Sequence, residues 1–306
     1  MKKETLALTC CLLAALVLLP ACNTTSGTVP GKKTIVATYS ILGSIVKDLV
    51  GDAASVSVSI PNGLDPHEWE PSAKDIEAIN KADLVIQNGL GLEGGMEKTL
   101  ALAEAKGVKF FTASDYITIR HVGAGEGVPS GDPDQATGAA DPHLWTDPLA
   151  MKDVVAALAG YLKTNLDINV DAQSQNLQAR LDNLNAQVAA EVAALPLESR
   201  KLVTGHESVG YFAQRYGFKL IGALIPSLSS QANVSAGDLA ALKQLMLDNQ
   251  VKVIFAEVGT SATVADAIAR ETGAKVVELA THMLPSDGSY FTFETQLAAT
   301  IVNALK

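Results

Sequence analysis

Thiols are almost missing from this chain. Its three cysteines in 306 residues are Cys10, Cys11 and Cys22, so residues 23–306 carry none. That excludes a disulfide framework and a cysteine-type zinc site from this stretch, and leaves histidine and carboxylate as its strong metal ligands. Positive charge is scarce as well. With 23 Lys and Arg against 33 Asp and Glu the formal net charge is −10, which disfavours nucleic acid as a partner and suits the attraction of cations. Beyond residue 19 no apolar run is long enough to cross a membrane. Also absent are the His-x-x-x-His helix of metalloproteases and any serine or cysteine nucleophile motif.

What is present begins with a leader. Met1-Lys2-Lys3 is a short positive region and residues 6–19 form an apolar one too short for a comfortable permanent span, which together read as a secretory signal over residues 1–21. It ends Leu19-Pro20-Ala21-Cys22, which resembles the bacterial lipoprotein lipobox, and that resemblance implies cleavage before Cys22 and lipid on its thiol. Loss of Lys2, Lys3 and Glu4 with the leader brings the net charge to −11. Residues 22–32, rich in Thr, Ser and Gly, read as a tether that cannot bury a core. About 270 residues remain, enough for one large or two medium domains.

The remainder alternates strand and helix patterns. A β-branched run over residues 33–39 leads into helical spacing over 40–50, and the Ser/Val alternation of 54–60 reads as a strand closed by Pro61-Asn62-Gly63. Helix 72–82, strand 83–87, helix 92–105 and strand 108–112 follow. Residues 123–140, rich in Gly, Asp and Pro, are expected to form a mobile surface loop. Helices are predicted from Pro148 to about residue 165 and over 171–195, the second ended by Pro196. The same grammar returns as strands 201–204, 218–224, 252–257 and 275–279 with helices 208–216, 236–249, 261–272 and a last one to Leu305. This predicts an α/β protein of two similar lobes, each a mainly parallel sheet flanked by helices. The N-terminal lobe spans 33–170, one long linking helix 171–196, and the C-terminal lobe 197–306, with ligands bound beyond the strand carboxyl ends. Ser72-Ala73-Lys74-Asp75-Ile76 and Ser235-Ala236-Gly237-Asp238-Leu239 echo one another, a sign of duplication.

Four of the five histidines follow strand ends or proline-stiffened loops. Asp-Pro-His-x-Trp occurs twice, at Asp65-Pro66-His67-Glu68-Trp69 and Asp141-Pro142-His143-Leu144-Trp145. Proline before each histidine holds its own φ near −65° and disfavours helix in the aspartate, so each imidazole rides a stiff loop. The two tryptophans are expected to pack and fix these loops, because an indole offers only a donor. His206 follows strand 201–204 and His282 follows strand 275–279. Four neutral imidazoles suit tetrahedral Zn²⁺. His121, beside the expected mobile loop, reads as a solvated histidine, with transient metal collection as the sharper alternative.

Together, the lipobox, Asp65-Pro66-His67 with Glu70-Pro71-Ser72, Asp141-Pro142-His143-Leu144-Trp145-Thr146-Asp147-Pro148, Thr204-Gly205-His206-Glu207 with Gly210-Tyr211-Phe212-Ala213, and Phe255-Ala256-Glu257 carry a specific likeness. The chain resembles the zinc- and manganese-binding lipoproteins of bacterial ABC importers, the cluster A-I substrate-binding proteins with a helical backbone. That resemblance implies a cleft metal held by two ligands from each lobe, with His67, His143 and His206 matching ligand positions. It implies as partners a membrane permease with its cytoplasmic ATPase, and the membrane itself through lipid on Cys22. The receptor would be a monomer outside the cytoplasm, in the periplasm or at the cell surface, with no catalytic cofactor. The fourth position departs from the pattern, since Ala280 stands where relatives often carry aspartate. His282 is then the nearer replacement and Asp287 the alternative.

Histidine at 206, where glutamate would supply oxygen, favours zinc over manganese as the transported ion, Mn²⁺ being the alternative. The histidine-rich tract that many zinc-specific relatives carry before the second Asp-Pro-His is absent. A zinc hydrolase with Glu68, Glu207 or Glu257 as general base is the rival from another class; a surface adhesin is a further one.

Overall fold

The structure is a computed structural model, and it describes residues 31–127 and 131–306. The leader, the lipobox and most of the tether lie outside them. No described helix is long and apolar enough to cross a membrane.

The first sheet contains β1 (Lys33–Tyr39), β2 (Ala54–Ile60), β3 (Leu84–Gln87) and β4 (Phe110–Thr112) in the order β2-β1-β3-β4, all parallel. The second contains β5 (Lys201–Thr204), β6 (Lys219–Ala223), β7 (Val253–Ala256) and β8 (Lys275–Glu278) in the order β6-β5-β7-β8, again parallel. Both sheets thus use one strand order, with the first strand inside and its successors laid to either side. This order creates a switch point at the carboxyl ends of β1 and β3, and of β5 and β7, where flanking loops part and leave room for a ligand.

Residue chemistry explains the layers. On β5, Leu202 packs into one buried cluster and Val203 into another, and on β7 Val253 and Phe255 face one cluster while Ile254 faces the other. That period-two alternation with both faces apolar is what a parallel sheet covered by helices on each side requires. Helix α1 (Ser40–Val50) covers the first sheet, and α2 (Ala73–Lys81) and α3 (Glu97–Ala105) complete its crossovers. In the second sheet α6 (Gly210–Tyr216), α7 (Ala236–Asp248) and α8 (Ala262–Thr272) do the same. The echoed segments are two capping boxes, Ser72 with Asp75 on α2 and Ser235 with Asp238 on α7. Each satisfies orphan helix N–H groups reciprocally, and each precedes the third strand of its sheet.

Between the sheets run α4 (Pro148–Leu166) and the 22-residue α5 (Asp171–Val192), about 33 Å long at 1.5 Å per residue. Leu177, Leu181, Leu184, Val188 and Val192 form its buried stripe, a helical periodicity that packs on α4 and on the last helix, α9 (Tyr290–Leu305). Helix α9 follows the second sheet in sequence but lies against α5 and α1.

The described parts of the expected loop over 123–140 are irregular and mostly exposed, and several of their backbone groups pair. Val122 N–H donates to Ala139 O at 2.9 Å, Gly138 N–H to Val122 O at 2.9 Å, and a short 3-10 turn spans Pro133–Gln135. Arg120 anchors the stretch by pairing with both Glu126 and Asp141.

Candidate metal centre

Two identical local devices deliver the first pair of histidines. In each Asp-Pro-His, the aspartate Oδ1 accepts the N–H of the histidine two residues on, at 2.9 Å for Asp65 with His67 and 2.9 Å for Asp141 with His143. The intervening proline has no N–H to compete, so the Asx turn is the favoured conformation. The second loop is fixed at the switch point of the first sheet. Asn88, immediately after β3, donates through Nδ2 to Pro142 O at 2.8 Å and accepts the Tyr39 hydroxyl at 3.0 Å. Downstream, Asp147 caps α4 by accepting Leu149 N–H at 2.9 Å, with Pro148 at the first helical position.

His206 leaves the carboxyl end of β5, the inner strand of the second sheet. Gly205 precedes it because a Cβ there would strike the Thr260 hydroxyl and crowd Glu257. His282 lies in the loop between β8 and α9.

The structure brings all four imidazoles together. One nitrogen from each of His67, His143, His206 and His282 lies within 4.8 Å of the others, and all four residues are buried. His143 Nε2 is the hub, 3.2 Å from His67 Nε2 and 3.2 Å from His206 Nε2. Zinc bonds of about 2.0–2.1 Å at tetrahedral angles place ligand nitrogens about 3.3–3.4 Å apart, so these two edges already approximate the geometry. His282 Nε2 is buried with no hydrogen-bond partner, which marks a group awaiting one.

The far nitrogens explain the orientation. His143 Nδ1 lies 2.8 Å from Asp141 Oδ1, His206 Nδ1 3.2 Å from Glu257 Oε2, and His282 Nδ1 2.9 Å from the Thr281 hydroxyl. A carboxylate behind Nδ1 holds the proton there and leaves Nε2 a lone pair aimed inward. Lone pairs that converge in a buried pocket repel one another, and a cation placed among them removes that cost. Glu257 itself is fully engaged, since it also accepts from the Ser208 hydroxyl at 2.7 Å, the Thr281 hydroxyl at 2.9 Å and Gly205 N–H at 3.2 Å. Behind Asp141, Arg120 donates to Oδ2 at 2.9 Å. Gly210, the first residue of α6, packs on this pair so closely that a Cβ would collide with both side chains.

Burial and charge separate the four rings. Burial, reinforced by the neighbouring imidazoles, holds His67 and His143 well below the ordinary histidine value, and burial with His206 nearby brings His282 down to about 4. Burial also pushes His206 down, but the Glu257 carboxylate beside it more than compensates and leaves it raised. Conversely, burial pushes Glu257 up and His206 draws it below its ordinary value. Without metal, His206 is therefore the ring of the four most readily protonated, and its Nε2 lies 3.2 Å from the His143 lone pair that would accept that proton. Glu207 is a different buried carboxyl, without a hydrogen-bond partner on either oxygen; burial raises it to about 7 against the opposing charge of Arg120.

A pH prediction follows. A raised His206 stays protonated to higher pH than an ordinary histidine, so proton competition with zinc begins at higher pH than four ordinary histidines would give. In Glu207→Gln, which lacks the other group poised near neutrality, zinc affinity falls about tenfold per pH unit between pH 6 and 5, one proton per metal. Chelator competition across that range measures it, and a slope of two or more would show that the other rings titrate too.

The remaining candidates lie elsewhere. Asp287 is exposed and accepts Ser289 N–H at 3.0 Å and the Thr292 hydroxyl at 2.7 Å. His121 is exposed and makes an isolated bridge to Ala140. Glu68 is exposed and accepts from Gln231 at 2.7 Å. Trp145 is fully buried, its ring centroid 5.3 Å from that of His143 and 5.4 Å from that of His282, whereas Trp69 is half-buried. Sequence reasoning missed Arg120 and Asn88; a polar residue directly after a buried strand was the available signal for Asn88.

Fold and site define a class: a two-lobed α/β binding protein with a histidine pocket at the carboxyl edges of two parallel sheets. Residues 35–304 match the family described as ZnuA, zinc-uptake complex component A, periplasmic, and the chain belongs to that family. It is 32% identical over 280 residues to the high-affinity zinc uptake system protein ZnuA of Bacillus subtilis, covering 88% of this chain and 86% of that one. To the zinc-binding lipoprotein AdcA of Streptococcus pneumoniae it is 30% identical over 250 residues, 80% of this chain but 49% of AdcA. Among solved structures, the periplasmic zinc-binding protein TroA of Treponema pallidum superposes with a TM-score of 0.73 at 26% identity, over 90% of this chain and 99% of TroA.

Proposed function

We propose that this chain is the extracytoplasmic receptor of a bacterial ABC importer and that its cargo is Zn²⁺, held by His67, His143, His206 and His282. The observation that carries the reading is the convergence of four buried imidazole nitrogens, three of the four rings braced at Nδ1, with no carboxylate oxygen among the four. The membership in a zinc-uptake family supports it. In this reading residues 33–170 and 197–306 are the two lobes, 171–196 the linking helix, and lipid on Cys22 tethers the receptor beside its permease.

The same donor set disfavours a hydrolase. Four nitrogens complete a tetrahedral shell and leave no position for an activated water. Glu257, a nominated base, has its oxygens occupied by four donors.

A ligand that binds only the folded state stabilises it by RT ln(1 + [L]/Kd), about 4 kcal/mol at a thousandfold excess over Kd. For a chain of this size that corresponds to a rise of roughly ten degrees in the thermal midpoint. Calorimetry of chelator-stripped protein with and without zinc tests the receptor reading, and an unchanged midpoint would remove its basis.

A further inference from the structure

The loop that carries His282 is gripped from the first sheet's side of the molecule. The last ladder bond of the second sheet is Leu279 N–H to Ala256 O at 2.8 Å. One residue before the imidazole, Thr281 O accepts the indole N–H of Trp145 at 2.9 Å. Two residues after it, Asn62 holds Leu284 twice: Oδ1 accepts Leu284 N–H at 2.7 Å and Nδ2 donates to Leu284 O at 2.9 Å. The Ser40 hydroxyl donates to the same Oδ1 at 3.1 Å, and the two Leu284 bonds select this orientation of the amide, since a flip would set donor against donor and acceptor against acceptor. Farther on, the Ser44 hydroxyl donates to Gly288 O at 2.8 Å and accepts Tyr290 N–H at 3.1 Å.

Every one of these partners belongs to elements around the first sheet. Asn62 lies in the turn just after β2, Trp145 closes the second Asp-Pro-His-x-Trp, and Ser40 and Ser44 lie on α1. From the second sheet, the Thr281 hydroxyl reaches Glu257 at 2.9 Å. A ligand on an irregular loop has no ladder to hold it, and a metal site requires its donors placed to within about 0.5 Å. Backbone fixed on both sides of the residue supplies that placement.

We propose that Asn62 and Trp145 are positioning residues for the fourth imidazole, bracketing its backbone so that Nε2 meets a metal already held by the other three. The proposal rests on the four-histidine zinc reading. It divides the ligands three to one: His67, His143 and His282 are fixed to the first sheet's framework and His206 to the second sheet, in contrast to the two-and-two division that family resemblance implies.

The test measures zinc affinity by chelator competition, and the visible absorption of the Co²⁺ form, for wild type, Asn62→Ala, Trp145→Phe and His282→Ala. Asn62→Ala and Trp145→Phe are also combined with His282→Ala. Each positioning variant is expected to bind zinc about ten- to a hundredfold more weakly, the scale on which outer partners of metal ligands act, and to shift the Co²⁺ spectrum toward that of His282→Ala. In the His282→Ala background Asn62→Ala weakens zinc no further, because the residue through which it acts is gone, and Trp145→Phe weakens it less than in wild type, its ring also lying against His143. Asn62 lies at the surface, and an unchanged thermal midpoint of the metal-free Asn62→Ala protein separates positioning from loss of fold. Unaltered affinity, or the same loss in both backgrounds, overturns the proposal. If wild type binds zinc and His282→Ala binds it equally well, the receptor reading stands and the positioning proposal falls; if wild type takes up no zinc, both fall.

Discussion

Replacing His282 by alanine is expected to weaken zinc binding by about two orders of magnitude, and replacing Asp287 by alanine to leave it within about twofold. Structural zinc sites contribute about 10–16 kcal/mol over four ligands, so one ligand accounts for about 3 kcal/mol, or somewhat over a hundredfold. His282 is buried with its Nε2 unpartnered beside the other three rings. Asp287 is exposed, and its oxygens are occupied by Thr292 and Ser289 at the start of α9, bonds that hold its carboxyl below the usual range. Its loss removes two bonds at the start of α9 and is expected to lower the thermal midpoint slightly while the zinc isotherm is unchanged. Zinc binding that survives in His282→Ala and fails in Asp287→Ala would assign the fourth position to the carboxylate.

In the zinc reading proposed above, zinc is expected to exclude manganese by at least about three orders of magnitude in affinity. Mn²⁺ stands at the weak end of the divalent series and favours oxygen in six-coordinate sites, whereas Zn²⁺ accepts four nitrogens without strain. Among the buried carboxylates around the pocket, Asp65 Oδ2 and both Glu207 oxygens are unpaired among the described residues, whereas Asp141 and Glu257 stand behind imidazole rings as acceptors of Nδ1–H, and their oxygens are already paired. Neither can turn inward without abandoning a buried partner, at a cost of about 1–3 kcal/mol for each unsatisfied group. Equilibrium dialysis against both ions with metal analysis of the protein gives the ratio directly. Comparable occupancy by the two would mean that oxygen enters the shell.

Much of this arrangement was legible in the chain because its signals are local. The span of β1 and α1, the two capping boxes and the Asp-Pro-His turns each depend on residues within a few positions of one another, where propensity and hydrogen-bonding chemistry act directly. Helix starts were less accurate: the 92–105 pattern resolves into a 3-10 turn at Gly94–Met96 followed by α3 from Glu97, because two glycines interrupt the helix there. The pairing inside the loop over 123–140 was not legible for a related reason. Its Gly, Asp and Pro content signals irregular backbone, and whether irregular backbone is tied down depends on partners such as Arg120 and Val122 that composition does not reveal.

The sequence by itself determined the α/β alternation, the duplicated lobe pattern and the candidacy of His67, His143, His206 and His282, because periodicity and proline-stiffened turns are written in neighbouring residues. Only the tertiary structure decided that these four rings converge while Asp287 and His121 stay in solvent, that Asp141 and Glu257 brace them, and that Asn62 and Trp145 grip the loop of His282. Apart from the local Asp141–His143 bond, those facts depend on side chains from 63 to 222 positions apart, or 51 for Glu257 and His206, and contacts at such separations are set by how two sheets and a long helix pack, which no local pattern encodes.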